Sequence, residues 1–227
     1  MNQVEKLHFT EAQVEEKEKL ARLLDSINVG KREIKYSQEQ TIYSQGEPGD
    51  AVFLIQEGQV RLSVVSVAGK EATLAVMGPQ EFFGVTCLGE QRRRLTSAMA
   101  LQPTTLLRIE RAVMIRNLWE DKQLFDFFLS HLLSRTVTLQ NDLCAQILDP
   151  SEKRLVRVLL KLTQFGEKSH EQVKVPKISH DRLATMVGTT RSRVTFFMNR
   201  FKKLGFVDYG TDMFVDPDRL SDLLQKE

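Results

Sequence analysis

Cysteine is scarce in this chain of 227 residues, which has only Cys87 and Cys144. They form no CxxC or other paired spacing. An iron–sulfur cluster takes about four thiolates, so one chain cannot supply it. Both cysteines sit among apolar neighbours, which predicts buried thiols in a reducing compartment. No apolar run approaches the roughly 20 residues that a membrane span needs. The stretch MNQVEKLHFTEAQVEEKEK is charged and has no apolar centre, so it does not read as a secretion signal, and a cytoplasmic protein is expected. Catalytic patterns are missing too: there is no nucleophile–His–acid arrangement, metal-ligand spacing or P-loop. His8, His131, His170 and His180 fall in unlike segments. Neither an enzyme nor a metal or cofactor is expected.

What is present centres on residues 178–205, ISHDRLATMVGTTRSRVTFFMNRFKKLG. Ser179 can cap a first helix by accepting from a free backbone N–H of its opening turn. Leu183, Met186 and Val187 share one face of that helix. Gly188 stands where the helix must stop, in a position that favours the left-handed conformation. Thr189 and Thr190 can cap a second helix, with Val194, Phe197, Met198, Phe201 and Leu204 as its inward stripe. Ala184, Gly188 and Val194 follow the offsets of a helix-turn-helix, whose second helix enters the DNA major groove. An ordinary helical hairpin would share the apolar spacing. Arg191 and Arg193 argue against it, because the positive end of the helix dipole disfavours cations and an anionic partner would offset that cost. Phe196 lies about 160° around the helix from Val194, beside Ser192, Asn199 and Lys203. It therefore either faces the groove or packs against a wing. The candidate DNA-contacting residues are Ser179, His180, Thr190, Arg191, Ser192, Arg193, Thr195, Phe196, Asn199, Lys202 and Lys203.

Charge supports this placement. Residues 153–203 carry thirteen Lys/Arg against three Asp/Glu, whereas residues 1–149 carry seventeen against twenty. The basic excess falls on the helix-turn-helix, as a phosphate-binding surface requires.

Taken in order, residues 11–25 suggest a charged helix capped by Thr10, with Val14, Leu20, Leu23 and Leu24 as its apolar positions. Residues 31–109 then alternate short apolar runs (TIY, AVFLIQ, VRLSVVSV, ATLAVM, TLLRI) with glycine turns, the pattern of a barrel or sandwich. A short helix over 110–118 and a long one over 122–148 follow. In the long helix Phe125, Leu129, Leu132, Thr136, Leu139 and Leu143 are spaced 4, 3, 4, 3, 4, the heptad seam of a two-stranded coiled coil. Leu124 and Phe128 form a second strip that could pack on the barrel. Asp149-Pro150-Ser151-Glu152 is expected to cap a further helix, over 153–164, with Glu152 closing a capping box. Phe206 to Tyr209 and Met213 to Val215 flank Gly210-Thr211-Asp212, a hairpin signal. Asp216-Pro217 starts a last short helix.

Gln45 to Val60 fits QGExGDxxxxIxxGxV, the opening of a cyclic-nucleotide-binding β-roll. A roll, a long dimer helix, an Asp at the hinge and a winged helix-turn-helix together resemble the CRP/FNR family of bacterial transcription regulators. The resemblance implies an α+β fold: an N-terminal β-roll (jelly-roll-like barrel), a long dimerisation helix and a C-terminal winged helix-turn-helix. The segments are residues 1–30 (helical), 31–118 (roll), 119–148 (dimerisation helix) and 149–227 (DNA-binding domain). It also implies a homodimer on a palindromic double-stranded DNA operator, with RNA polymerase as a further partner and no membrane. Arg191 matches the family's guanine-reading arginine. Ser192 replaces a base-reading glutamate and Phe196 a second arginine, so the operator should differ from the family consensus. In the cAMP-binding members a glutamate holds the ribose and an Arg-Ser pair holds the phosphate. Here Phe83, Gly84, Ser97 and Thr138 match the pocket, but Val85 and Thr96 stand for the glutamate and the arginine. The missing charge-assisted bonds, each worth about 1.5–3 kcal/mol, argue against cAMP and leave the effector unidentified. Arg92-Arg93-Arg94 reads first as a solvated basic loop. The alternative is that Arg94 supplies a cation from a shifted position.

Overall fold

The computed structural model describes Leu20, residues 22–24, Ile27, and residues 29–163, 167–169, 172–210 and 212–225. Thr10, Val14, His8, His170, Gln164 and Thr211 lie outside these. Leu20, Leu23 and Leu24 are buried together with Val52, Leu54 and Ile109 of the strands that follow. The charged first segment thus uses its leucines to cover one outer face of the roll.

Eight strands build the roll: β1 (Lys31–Tyr36), β2 (Thr41–Tyr43), β3 (Ala51–Glu57), β4 (Val60–Val65), β5 (Glu71–Met77), β6 (Phe82–Phe83), β7 (Ser97–Ala100) and β8 (Thr104–Glu110). They form two antiparallel sheets, ordered β1-β8-β3-β6 and β2-β7-β4-β5. The two-residue period of a strand sorts the side chains of β3 between two cores. Ala51, Phe53 and Ile55 point between the sheets to meet Tyr43, Val60, Ala75, Met77, Phe83, Ala98 and Leu106. Val52 and Leu54 point outward, against helices. A strand buried on both faces reads as a continuous apolar run, which is why AVFLI shows no alternation.

Helix α1 (Arg111–Glu120) starts one residue later and ends two later than expected, because Glu110 still pairs with Ala51 in the sheet. Helix α2 spans Lys122–Leu148, and the Asp121 carboxylate accepts from the N–H groups of Gln123 and Leu124. Leu124 and Phe128 are buried against the outer face of the roll, at about 1.5–3 kcal/mol for each fully buried side chain.

Helix α3 (Ser151–Thr163) carries the next correction. Asp149 and Glu152 make no capping box: the Asp149 carboxylate pairs with Arg157 Nε at 2.6 Å, and Glu152 pairs with Arg200 at 2.9 Å. An arginine within reach outcompetes the neutral backbone N–H for the charge. Two strands not foreseen, β9 (Glu167–Ser169) and β10 (Gln172–Val175), precede the helix-turn-helix. After α4 (His180–Val187) and α5 (Arg191–Lys203) come β11 (Val207–Tyr209), β12 (Met213–Val215) and α6 (Pro217–Gln225). The wing joins a sheet ordered β11-β12-β10-β9. Asp216 caps α6, its carboxylate accepting from Arg219 N–H at 3.0 Å.

Cys87 is buried, with Sγ donating to the Ala51 carbonyl, but Cys144 is exposed on α2. Its apolar sequence neighbours face outward with it, which corrects the expectation of two buried thiols. Leu204 is also exposed, because it sits past the last helical residue, where α5 has lost its inward face.

The two halves of the chain are joined by specific contacts. Leu101, just after β7, is 3 % exposed and lies in the core of the C-terminal domain with Leu155, Leu162 and Met198. Gln59, fully buried, donates from Nε2 to the Leu162 carbonyl at 3.2 Å. Arg182 of α4 pairs with Glu39 of the β1–β2 turn. At the junction of α2 and α3, Arg154 donates to the carbonyls of Gln146 and Gly188 at 3.0 and 3.2 Å, and Lys161 pairs with Asp142.

Candidate nucleic-acid interface and effector pocket

The helix-turn-helix is fixed by local chemistry. Ser179 Oγ accepts from Arg182 N–H at 3.3 Å and so caps α4. Gly188 ends α4 with φ 68°, which a side chain would make costly. Thr190 Oγ1 then accepts from Arg193 N–H at 3.4 Å and opens α5. Val194, Met198 and Phe201 are buried, and Phe197 is half-buried on the same core.

The outward face of α5 carries the other predicted residues, and several of them are engaged within the domain. Thr195 Oγ1 and His180 Nδ1 are hydrogen-bonded at 2.9 Å, so the histidine holds the two helices together. The Tyr209 hydroxyl donates to Asn199 Oδ1 at 2.7 Å, and its ring meets His180 edge-on. The Ser192 and Thr190 hydroxyls bond each other at 3.1 Å. Lys202 lies over the Tyr209 ring and pairs with Asp208 at 3.0 Å. Arg191 is exposed and reaches Asp181 at 3.6 Å, an internal anion that partly meets the charge cost at this helix end. Arg193 and Lys203 are exposed, and Phe196 is 65 % exposed. Tyr209 was missed as an organising residue. Its signal was a tyrosine immediately before the Gly210 turn, a place where a ring can reach back to the helix.

The roll holds its predicted effector residues differently. Phe83 stacks on Phe53 at 5.1 Å between ring centroids, and Tyr43 lies 5.9 Å from Phe83, so aromatic rings occupy the space between the sheets. Burial pushes the Tyr43 hydroxyl pKa up. Gly84 has φ 71° and opens a 3₁₀ turn over Val85–Leu88. A Cβ on Gly84 would stand 2.6 Å from Arg94 Nη1, so glycine makes room for that guanidinium. Ser97 Oγ accepts from Gln45 N–H at 2.9 Å, and Thr138 is exposed on α2, with its hydroxyl donating to the Ser134 carbonyl. Phe83, Gly84 and Arg94 come together; Thr138 is not brought to them. Val85 packs with the outer cluster, and Thr96 Oγ1 lies 3.4 Å from the Tyr43 hydroxyl.

Arg94 corrects the reading of the triple arginine as a solvated loop. Arg92 and Arg93 are exposed, but Arg94 is 4 % exposed. Its guanidinium sits 4.4 Å from the Tyr43 ring centroid, donates to the Gly84 carbonyl at 3.1 Å and lies 3.5 Å from Asp50. Its buried Nε has no partner among the described residues. Arg94, Arg108, Arg32, Tyr36, Tyr43 and Asp50 line an open cavity of about 320 Å³ at the mouth of the roll. On the other side of the roll, His131 of α2 accepts from Phe82 N–H at 3.2 Å, and burial holds its pKa below the usual range.

Two family models match the chain: a cyclic nucleotide-binding domain over residues 33–120 and a Crp-like helix-turn-helix domain over 153–223. The chain is 33% identical over 180 residues to a cyclic AMP receptor protein of Thermus thermophilus, covering 77% of this chain and 79% of the relative. It is 32% identical to a global nitrogen regulator of Synechococcus elongatus, covering 71% and 74%. In structure it resembles FixK2 from Bradyrhizobium japonicum, with a TM-score of 0.73 at 18% identity, over 85% of this chain and 96% of that one. These relatives are regulators, and no helix among the described residues is long and apolar enough to cross a membrane.

Proposed function

Since the chain belongs to the CRP/FNR family of transcription regulators and carries that family's helix-turn-helix DNA-binding domain, we propose that it works as a homodimer on a palindromic operator. One observation carries this reading. The caps at Ser179 and Thr190 and the turn at Gly188 hold Arg191 and Arg193 outward on the most basic part of the chain. The α2 helices pair through Phe125, Leu129, Leu132, Thr136, Leu139 and Leu143, setting two recognition helices for two half-sites. Arg191 donates to O6 and N7 of a guanine in each half-site. Arg193, Lys202 and Lys203 contact phosphates, and Ser179, His180, Thr190 and Thr195 fix the register of the helix. The roll (31–118), the dimerisation helix (119–148) and the DNA-binding domain (149–227) divide these tasks, and the hinge near Asp149 is where an effector would re-orient the last of them. RNA polymerase is the further partner that this role calls for.

Selecting bound sequences from a randomised duplex pool tests the reading. The expected product is an inverted repeat with a guanine in each half and half-sites about 34 Å apart. Recovery of single half-sites would contradict the dimer.

Arg94 favours a second reading of the roll, in which a cyclic nucleotide or another anion is held without the usual cassette. A buried guanidinium with an unpartnered Nε, whose one carboxylate partner, Asp50 at 3.5 Å, is shared with Arg108, is short of negative charge. Two features support an effector other than cAMP: Val85 and Thr96 replace the usual acid and arginine, and aromatic rings fill the space between the sheets.

A further inference from the structure

Phe196 is a large apolar side chain left 65 % exposed in the middle of the recognition helix. Wing packing would explain such a ring, but neither aromatic residue of the wing strands, Tyr209 or Phe214, makes a ring contact with it. Tyr209 meets His180 edge-on and bonds Asn199. The ring partner that Phe196 has among the described residues is Phe197, 5.6 Å away and nearly perpendicular. That edge contact leaves most of the Phe196 ring open.

The polar side chains around it are partly engaged within the domain. Ser192, one turn earlier, bonds Thr190, and Asn199, one turn later, is held by Tyr209. Thr195 is held by His180. The middle of this helix therefore presents an exposed hydrocarbon surface flanked by hydrogen-bonding groups that are partly in use. In the major groove the one strongly apolar feature of a base pair is the C5-methyl group of thymine.

We propose that Phe196 is a specificity-determining residue that reads a thymine methyl in each half-site. This rests on the DNA-binding reading above and assigns the base that its central contact selects. Removing one methyl from an apolar contact is worth about fourfold in affinity per half-site, or about fifteenfold for the symmetric pair.

The test uses full-length protein and the operator that wild type selects from a randomised pool. Each thymine is replaced in turn, with its symmetry mate, by deoxyuridine, which lacks only the methyl. Binding is measured for wild type and for Phe196→Ala, whose fold is checked by its melting temperature. The expected result is one symmetric pair of positions where uracil weakens wild type about fifteenfold and leaves the variant unchanged. If no position behaves so, or if uracil weakens both proteins equally, Phe196 does not read the methyl and the proposal is overturned. If wild type selects no sequence at all, the DNA-binding reading fails and takes this proposal with it.

Discussion

Arg94 illustrates how much a single side chain depends on the path of the chain around it. As letters, Arg92, Arg93 and Arg94 are equivalent. The backbone of Arg94 is pinned on both sides, because its N–H donates to the Glu47 carbonyl and its own carbonyl accepts from Gly46 N–H, each at 2.8 Å. With the backbone fixed against that turn, the guanidinium has one way to go, over the faces of Tyr43 and Phe53. Titration calorimetry with cAMP is expected to give no saturable binding tighter than about 10 μM, or roughly −7 kcal/mol. Binding below that value, abolished by Arg94→Met, would establish the second reading of the roll. At this scale the helix-turn-helix was legible: caps and a left-handed glycine are decided within three or four residues. Arg94, and the bond from Tyr209 to Asn199, were not, because each joins segments that meet only after folding.

Helix α2 was legible to the residue, since Asp121 caps it and Pro150 follows it closely. What the heptad could not show is which seam residues also face their own roll. Leu132 is half-buried against Phe128 and its neighbours, whereas Leu129 is 42 % and Leu143 59 % exposed. Leu133, Val137 and Ile147, outside the predicted seam, are exposed as well and widen the apolar strip. Leu132→Asp would therefore damage the subunit together with the interface, while Leu129→Asp isolates the interface. Leu129→Asp should weaken the dimer by about 3 kcal/mol, roughly a hundredfold, through an unpaired buried charge. Analytical ultracentrifugation at micromolar concentration should find monomers for the variant and dimers for wild type. A monomeric wild type would remove the role given to this seam.

Across the whole molecule, the order of roll, long helix and winged domain could be read from periodicity and charge, since each part has its own pattern. The fastening of the two ends could not. Gln59, Leu101 and Arg182 carry no local signal of a partner more than fifty residues away along the chain. Leu101 in particular is covalently part of the roll and physically part of the other domain's core. Heat should therefore unfold both as one cooperative unit. Calorimetry on wild type is expected to give a single transition with equal calorimetric and van't Hoff enthalpies within the subunit. Leu101→Ala, at a cost of about 2–5 kcal/mol, should broaden the transition or split it in two. Two separate transitions in wild type would contradict the coupling. Where the coupling holds, a small molecule bound only to the roll must raise the melting temperature of the winged domain too, because neither can melt without the other.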